Sequence, residues 1–198
     1  DLVPAGGSYP QLLGALGVVF ERLEDPAGAE RHYRRAVDLA PSDPDSLNAL
    51  AVFTCSRRQQ PQEALRLFDR AIQVPLSVKT ANRTMLYTNA GTCAKRVDLA
   101  RAEAYLRGAL VQNPSFPDAL YQLADVSLEQ GDAFKARGFL ERYLAGSKPT
   151  SAALWLGVRI EQKLNDTDAA SRYGDELRQT FPDSAETRLL LGQARSGG

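Results

Sequence analysis

Two cysteines, one histidine, one methionine and one tryptophan are all the chain has of those residues in 198 positions. That scarcity removes zinc modules and disulfide-framework folds, and it leaves little for histidine-based catalysis. Charge of one sign is also missing. Lys and Arg number 24, Asp and Glu number 24, and the formal net charge is zero. Nucleic acid and anionic membrane surfaces select an excess of Lys and Arg, so neither is expected as the main partner. No stretch approaches the roughly 20 apolar residues that cross a bilayer. No charged-then-apolar leader opens the sequence. What is present is a hydrophobic fraction of 43%, enough to bury a substantial core in a chain of this length.

That apolar content is ordered with a period of about 34 residues. A Leu-Gly or similar pair is followed by an aromatic, then by Ala-x3-aromatic-x2-Ala, and then by Pro, with substitutions in some units. Leu16-Gly17, Ala29, Tyr33, Ala36 and Pro41 form the first unit. Leu50-Ala51, Ala64, Phe68, Ala71 and Pro75 form the second; Ala90-Gly91, Ala102, Leu106, Ala109 and Pro114 the third. Leu123-Ala124, Ala136, Leu140, Tyr143 and Pro149 follow, then Leu156-Gly157, Ala169, Tyr173 and Pro182. Small residues let two helices of one unit approach closely, and the large residue fills the space beside them. A single pair cannot bury its apolar face, so neighbours must stack. The pattern resembles the tetratricopeptide repeat. The expected fold is all-α: a right-handed α-α superhelix of about five repeats plus a C-terminal capping helix.

Prolines and acidic caps divide the units. First helices are predicted near 9–22, 44–57, 80–95, 116–130 and 150–163, with partners near 26–40, 60–74, 98–112, 133–145 and 166–180. A last helix is predicted near 184–195. The corresponding division is a remnant of a preceding repeat at 1–8, then repeats at 9–43, 44–79, 80–115, 116–149 and 150–183, and a capping helix and tail at 184–198, one domain overall. Asp1-Leu2-Val3-Pro4 resembles Asp38-Leu39-Ala40-Pro41, which closes the first unit, and the expectation is a truncated form with more sequence upstream. Ala71 and Thr84 stand 13 positions apart where Ala36 and Pro44 stand 8 apart. Extra residues are therefore expected around Val74–Lys79.

In such an array the first helix of each unit lines a concave face. The candidate partner-binding groove comprises Val18, Val52, Met85, Thr88, Tyr121, Asp125, Leu128, Leu154 and Val158. Apolar anchors beside polar groups suit an extended or helical peptide. The same side chains packing against a neighbouring helix is the other reading, and it stays open. His32 has no ligand set or nucleophile near it in sequence and is expected to be packed or exposed. No G-x-x-x-x-G-K-[ST], H-E-x-x-H or G-x-S-x-G occurs. Neither an enzyme nor a cofactor or metal site is expected. A cut array also exposes an apolar end, so the helix at 9–22 is expected either to fray or to pair with another copy.

The C-terminal half carries a sharper signal. Leu154-Trp155-Leu156-Gly157-Val158-Arg159 ends in the run Leu-Gly-x-Arg. Asp166, Ala169, Ala170, Tyr173 and Leu177 lead to Phe181-Pro182-Asp183-Ser184 in the order D-x-x-A-A-x-x-Y-x-x-x-L-x-x-x-(F/Y)-P-x-S. This order, with the long connection after the second unit, is similar to the PilF/PilW family of type IV pilus biogenesis and stability proteins. The resemblance implies a non-enzymatic pilotin that helps the pilus secretin reach the outer membrane and oligomerise. It implies a lipoprotein on the periplasmic face of the outer membrane of a Gram-negative bacterium. Its partner would be the secretin subunit, its membrane contact a lipid anchor lying upstream of Asp1. A general repeat adaptor in another secretion or assembly complex is the alternative. Cys55 and Cys93 fall on adjacent first helices. In an oxidising periplasm a disulfide between them is one outcome, and two buried thiols are the other.

Overall fold

The computed structural model describes residues 9–75 and 82–196. These form eleven α-helices. In chain order they are α1 (Tyr9–Arg22), α2 (Pro26–Leu39), α3 (Pro44–Ser56), α4 (Pro61–Gln73), α5 (Arg83–Ala94) and α6 (Leu99–Gln112), then α7 (Pro117–Glu129), α8 (Ala133–Gly146), α9 (Ser151–Lys163), α10 (Thr167–Thr180) and α11 (Ala185–Ser196). The architecture is the all-α repeat fold expected from the periodicity. The chain divides into two compact units, residues 1–112 and 113–198. The expected remnant at 1–8, most of the expected extra segment at 74–79, and Gly197-Gly198 lie outside the described residues.

Several helices start where a backbone N–H finds a side-chain oxygen. Asp25 accepts from the Gly28 amide at 2.8 Å, Asp43 from Ser46 at 2.9 Å, Asp132 from Lys135 at 3.0 Å and Asp166 from Ala169 at 3.0 Å. Asn82 does the same for α5, through Met85 at 3.2 Å, and so sets a later start than the predicted 80. Proline opens α2, α3, α4 and α7, where its missing N–H costs nothing.

Four of the turns inside the helical pairs share one device. Glu24, Gln59, Gly131 and Asn165 have positive φ, of 57°, 56°, 86° and 58°. Each stands one residue before the cap of the next helix. The following amide reaches back to a helical carbonyl: Asp25 to Phe20 at 2.9 Å, Asp132 to Ser127 at 2.9 Å, Asp166 to Glu161 at 3.0 Å. A left-handed residue followed by this long backbone bond satisfies the carbonyls left over at a helix end. The α5–α6 turn is built differently: the Asp98 amide bonds Ala94 at 2.8 Å.

Packing within each pair follows the small-against-large rule. Gly17, Ala51, Gly91, Ala124 and Gly157 are buried on the first helices. Opposite them stand Tyr33, Phe68, Leu106, Leu140 and Tyr173. A Cβ on Gly17 would lie 2.5 Å from the Tyr33 ring, and one on Gly157 would lie 2.8 Å from the Tyr173 ring. The glycines are therefore required by the closeness of the helices, whose φ values are ordinary.

Polar side chains join successive pairs inside each unit. In the first, Arg101 bonds Asp69 at 2.6 Å, and the Tyr105 hydroxyl donates to the same carboxylate. In the second, Arg137 reaches from α8 to Glu161 on α9, with one contact at 2.9 Å, and to Asp166 at 3.4 Å. Glu161 is almost fully buried, so this cation is what makes its charge tolerable there. Arg70 donates to the Pro41 carbonyl at 3.2 Å and Arg142 to the Pro114 carbonyl at 2.8 Å. Two second helices thus hold the preceding proline loop by the same contact.

The buried phenols carry a pH consequence. Burial raises Tyr33, helped by its 2.7 Å hydrogen bond to Glu21. Burial pushes Tyr105 up to about 12, with Asp69 adding to the rise and Arg101 opposing it. A phenol raised above its ordinary value of 10.0 holds its proton longer folded than unfolded. Its contribution is fully present below pH 10 and is lost as pH rises toward 12. Urea midpoints measured across that window are expected to fall for the native chain and to fall less steeply for Tyr105→Phe. Equal slopes would remove Tyr105 from the cause.

Candidate functional site

Three first helices of the first unit, α1, α3 and α5, lie side by side, with α3 touching both others. By repeat position these helices carry Val18, Val52 and Met85, each about two-fifths to one-half exposed. Between them sit half-buried amides: Asn89 Nδ2 donates to Asn48 Oδ1 at 3.1 Å. Arg57 pairs with Glu21 at 3.3 Å on the same side. The arrangement alternates apolar contact points with fixed polar groups.

Beneath this face α3 and α5 are covalently joined. The Cys55 and Cys93 sulfurs are bonded, with Cα atoms 6.1 Å apart. Both cysteines are buried. They floor a cleft of about 120 Å³ lined also by Val52, Ser56, Phe68, Asn89, Thr92 and Arg96. Arg96 caps the end of α3, donating to the Cys55 carbonyl at 3.0 Å and to Gln59 Oε1 at 2.8 Å. The cleft thus has an apolar floor, an amide on one wall and a guanidinium at its mouth. Thr88, expected to face a partner, is buried instead. Its hydroxyl turns back to the Thr84 carbonyl at 2.8 Å, the bond that helical threonines make when no other acceptor is near.

The second unit departs further from the expected groove. Tyr121 is half-buried and its ring lies 6.0 Å from that of Tyr143, tilted by 57°. Asp125 pairs with Arg159 at 3.4 Å. Leu128 is buried, Leu154 is 0% exposed and Val158 is 1% exposed. These three are core residues, so they cannot serve as open anchors. For Leu154 and Val158 the reason is that α9 is enclosed by α7, α8, α10 and α11. Here α11 covers the side of α9 that a following repeat would otherwise occupy. A depression lined by Leu128, Arg159, Gln162 and Lys163 remains, polar and cationic at its rim. His32 stacks on Phe20 with ring centres 4.7 Å apart, and its Nδ1 lies 2.8 Å from the Gly28 carbonyl. Among the described residues no cluster of His, Cys, Asp and Glu has the arrangement of a metal site.

The residues sequence reading missed are Asn89 and the capping role of Arg96. Asn89 falls outside the repeat positions that conventionally face a partner. Arg96 acts through a backbone carbonyl 41 residues away, for which no local sequence signal exists.

Models of the tetratricopeptide repeat match residues 10–53 and 96–156. The chain is a tetratricopeptide-repeat protein. Its likeness extends to particular repeat proteins along most of its length. It is 25% identical over 173 residues to the type IV pilus assembly protein PilF of Pseudomonas aeruginosa, covering 87% of this chain and 67% of that protein. The crystal structure of PilW, a widely conserved type IV pilus biogenesis factor, superposes with a TM-score of 0.84 at 25% identity, over 92% of this chain and 83% of PilW. The resemblance to PilF and PilW drawn from the C-terminal motif is thus matched over nearly the whole sequence. The cellulose synthase operon protein C of Pseudomonas fluorescens is 30% identical over 142 residues, which are 70% of this chain and 11% of that longer protein.

Proposed function

We propose that this chain is a non-enzymatic scaffold of type IV pilus biogenesis, acting as a pilotin that assists outer-membrane localisation and oligomerisation of the secretin. The observation that carries this reading is the likeness to PilF across 87% of the chain. The bonded cysteine pair is in keeping with it, because disulfides persist in oxidising compartments such as the periplasm. The action would be stoichiometric. The α1–α3–α5 face would hold an extended segment of the secretin subunit, with a lipid anchor tethering both to the outer membrane. Val18, Val52 and Met85 would supply apolar contacts, and Asn48 and Asn89 would meet main-chain groups. A second reading is an adaptor in another secretion complex, favoured by the match to cellulose synthase operon protein C.

The test is retention of outer-membrane proteins from the chain's own cell on immobilised protein, with bands identified by mass spectrometry. Retention of the secretin is expected, together with a roughly thirtyfold weakening by Val52→Glu combined with Met85→Glu, the size of one interface hot spot. Both side chains are exposed, so helical content should not change. Undiminished retention would move the site off this face. Retention of polysaccharide-export components and no secretin would favour the adaptor.

A further inference from the structure

The cleft over the disulfide carries a cation that the fold does not neutralise. Arg96, in the turn after α5, lines it. The Arg96 Nη1 donates to two neutral acceptors, the Cys55 carbonyl at 3.0 Å and Gln59 Oε1 at 2.8 Å. A guanidinium has five N–H donors, so Nη1 is fully occupied. The donors on Nε and Nη2 have no acceptor among the described residues, and no carboxylate there pairs with them. The two arginines after α3 differ: Arg57 pairs with Glu21 and Arg58 with Glu30. Anchored at Nη1, Arg96 keeps open the side-by-side Nε and Nη2 donors, a fork that a carboxylate accepts with both oxygens.

The rest of the cleft is apolar or already bonded. The Ser56 and Thr92 hydroxyls donate to their own helices, to the Val52 carbonyl at 2.8 Å and the Thr88 carbonyl at 3.0 Å. Phe68 and the two bonded cysteines are buried beneath. The space is about 120 Å³, somewhat less than the roughly 150 Å³ apolar cavity that holds a benzene ring. One side chain of leucine or methionine size fits it.

We infer that the cleft reads an apolar–acidic pair in an extended segment of a partner protein. The apolar side chain enters above the disulfide, and the carboxylate of an aspartate or glutamate takes the open fork of Arg96. Side chains two positions apart on a strand point the same way, so the pair is spaced by one residue. Charge complementarity selects this occupant. A wholly apolar segment would cover the guanidinium without a counter-charge, and a basic one would meet it with like charge. The inference rests on the reading of this cleft as part of the partner site and adds the chemistry that it selects.

The probe is a display library of random segments a dozen residues long, fused at both ends and selected on the oxidised whole chain. Enriched segments are expected to carry leucine or methionine two positions from aspartate or glutamate. A selected peptide, synthesised with both ends blocked, is expected to bind roughly tenfold more weakly when its acid is replaced by the amide, and roughly tenfold more weakly to Arg96→Gln. The two changes together should lose little more than either alone. Arg96→Lys, which keeps the charge without the fork, should lose part of the binding. Arg96 is exposed, so helical circular dichroism should not change. Losses that add overturn the inference, because Arg96 then serves only the end of α3. Absence of enrichment, enrichment without an acid, or binding that needs a free C-terminus overturns it too. Secretin retention undiminished by Arg96→Gln sinks this inference and leaves the pilus reading standing. Enrichment of the pair with no secretin retained does the reverse.

Discussion

Replacing both Cys55 and Cys93 by serine is expected to destabilise the first unit by about 4 kcal/mol, from the entropy of a closed loop of this size. The bond spans 38 residues of sequence. It encloses α4, the segment after it and most of α5. Those are the parts whose ordering costs the unfolded chain most when the link is absent. The loss should be local. Trp155 is the chain's one tryptophan and belongs to the second unit. Its emission is expected to follow unfolding of that unit, while circular dichroism follows both. Urea titrations of the serine variant should therefore show the dichroism midpoint falling more than the Trp155 midpoint. If the native chain and the serine variant unfold at one midpoint by both probes, the bond contributes nothing in solution. Binding should respond with stability, because the bond holds α3 and α5, the helices that carry Val52 and Met85, at the cleft.

What could be read ahead of the structure, and what could not, divides along the range of the interaction involved. Helix positions were legible because capping and turn chemistry act over three to six residues. Asp25, Asp132 and Asp166 stand as caps where their sequence context places them. The small-against-large pairs were legible because the repeat brings positions about 15 to 17 residues apart together in every unit. The partner face was only partly legible. Repeat position alone treats every first helix alike, but helices differ in what covers them. Val52 and Val158 hold the same repeat position, yet one is exposed and the other lies against the region that α11 closes. Arg70 and Arg142 were invisible for another reason. They hold carbonyl groups 29 and 28 residues earlier, and a carbonyl carries no residue-specific signature.

The position where local preference and packing conflict gives the second large effect. Gly91 lies inside α5, where alanine ordinarily gains about 1 kcal/mol of helix stability over glycine. A Cβ there would stand 2.5 Å from Leu106 Cγ and 3.2 Å from the Ala102 carbonyl oxygen. Leu106 is 0% exposed, so its side chain has no free volume to swing into. The carbonyl belongs to α6 itself, so relief requires the two helices to part. Overpacking of this kind costs about 1–3 kcal/mol, and here it should exceed the propensity gain. Gly91→Ala is therefore expected to lower the urea midpoint. Gly138 is the control: it lies inside α8 with nothing within 4 Å of a Cβ position, so Gly138→Ala should raise the midpoint. Leu106→Val shortens the obstructing side chain. Combined with Gly91→Ala, it should lose less than the two single losses together, as expected for residues in direct contact. Strict additivity would mean that Leu106 is not the obstacle and that the Ala102 carbonyl sets the helix spacing. A gain at Gly91 equal to that at Gly138 would mean that α5 and α6 sit farther apart than glycine requires, and that the small-residue rule at this repeat position reflects composition alone.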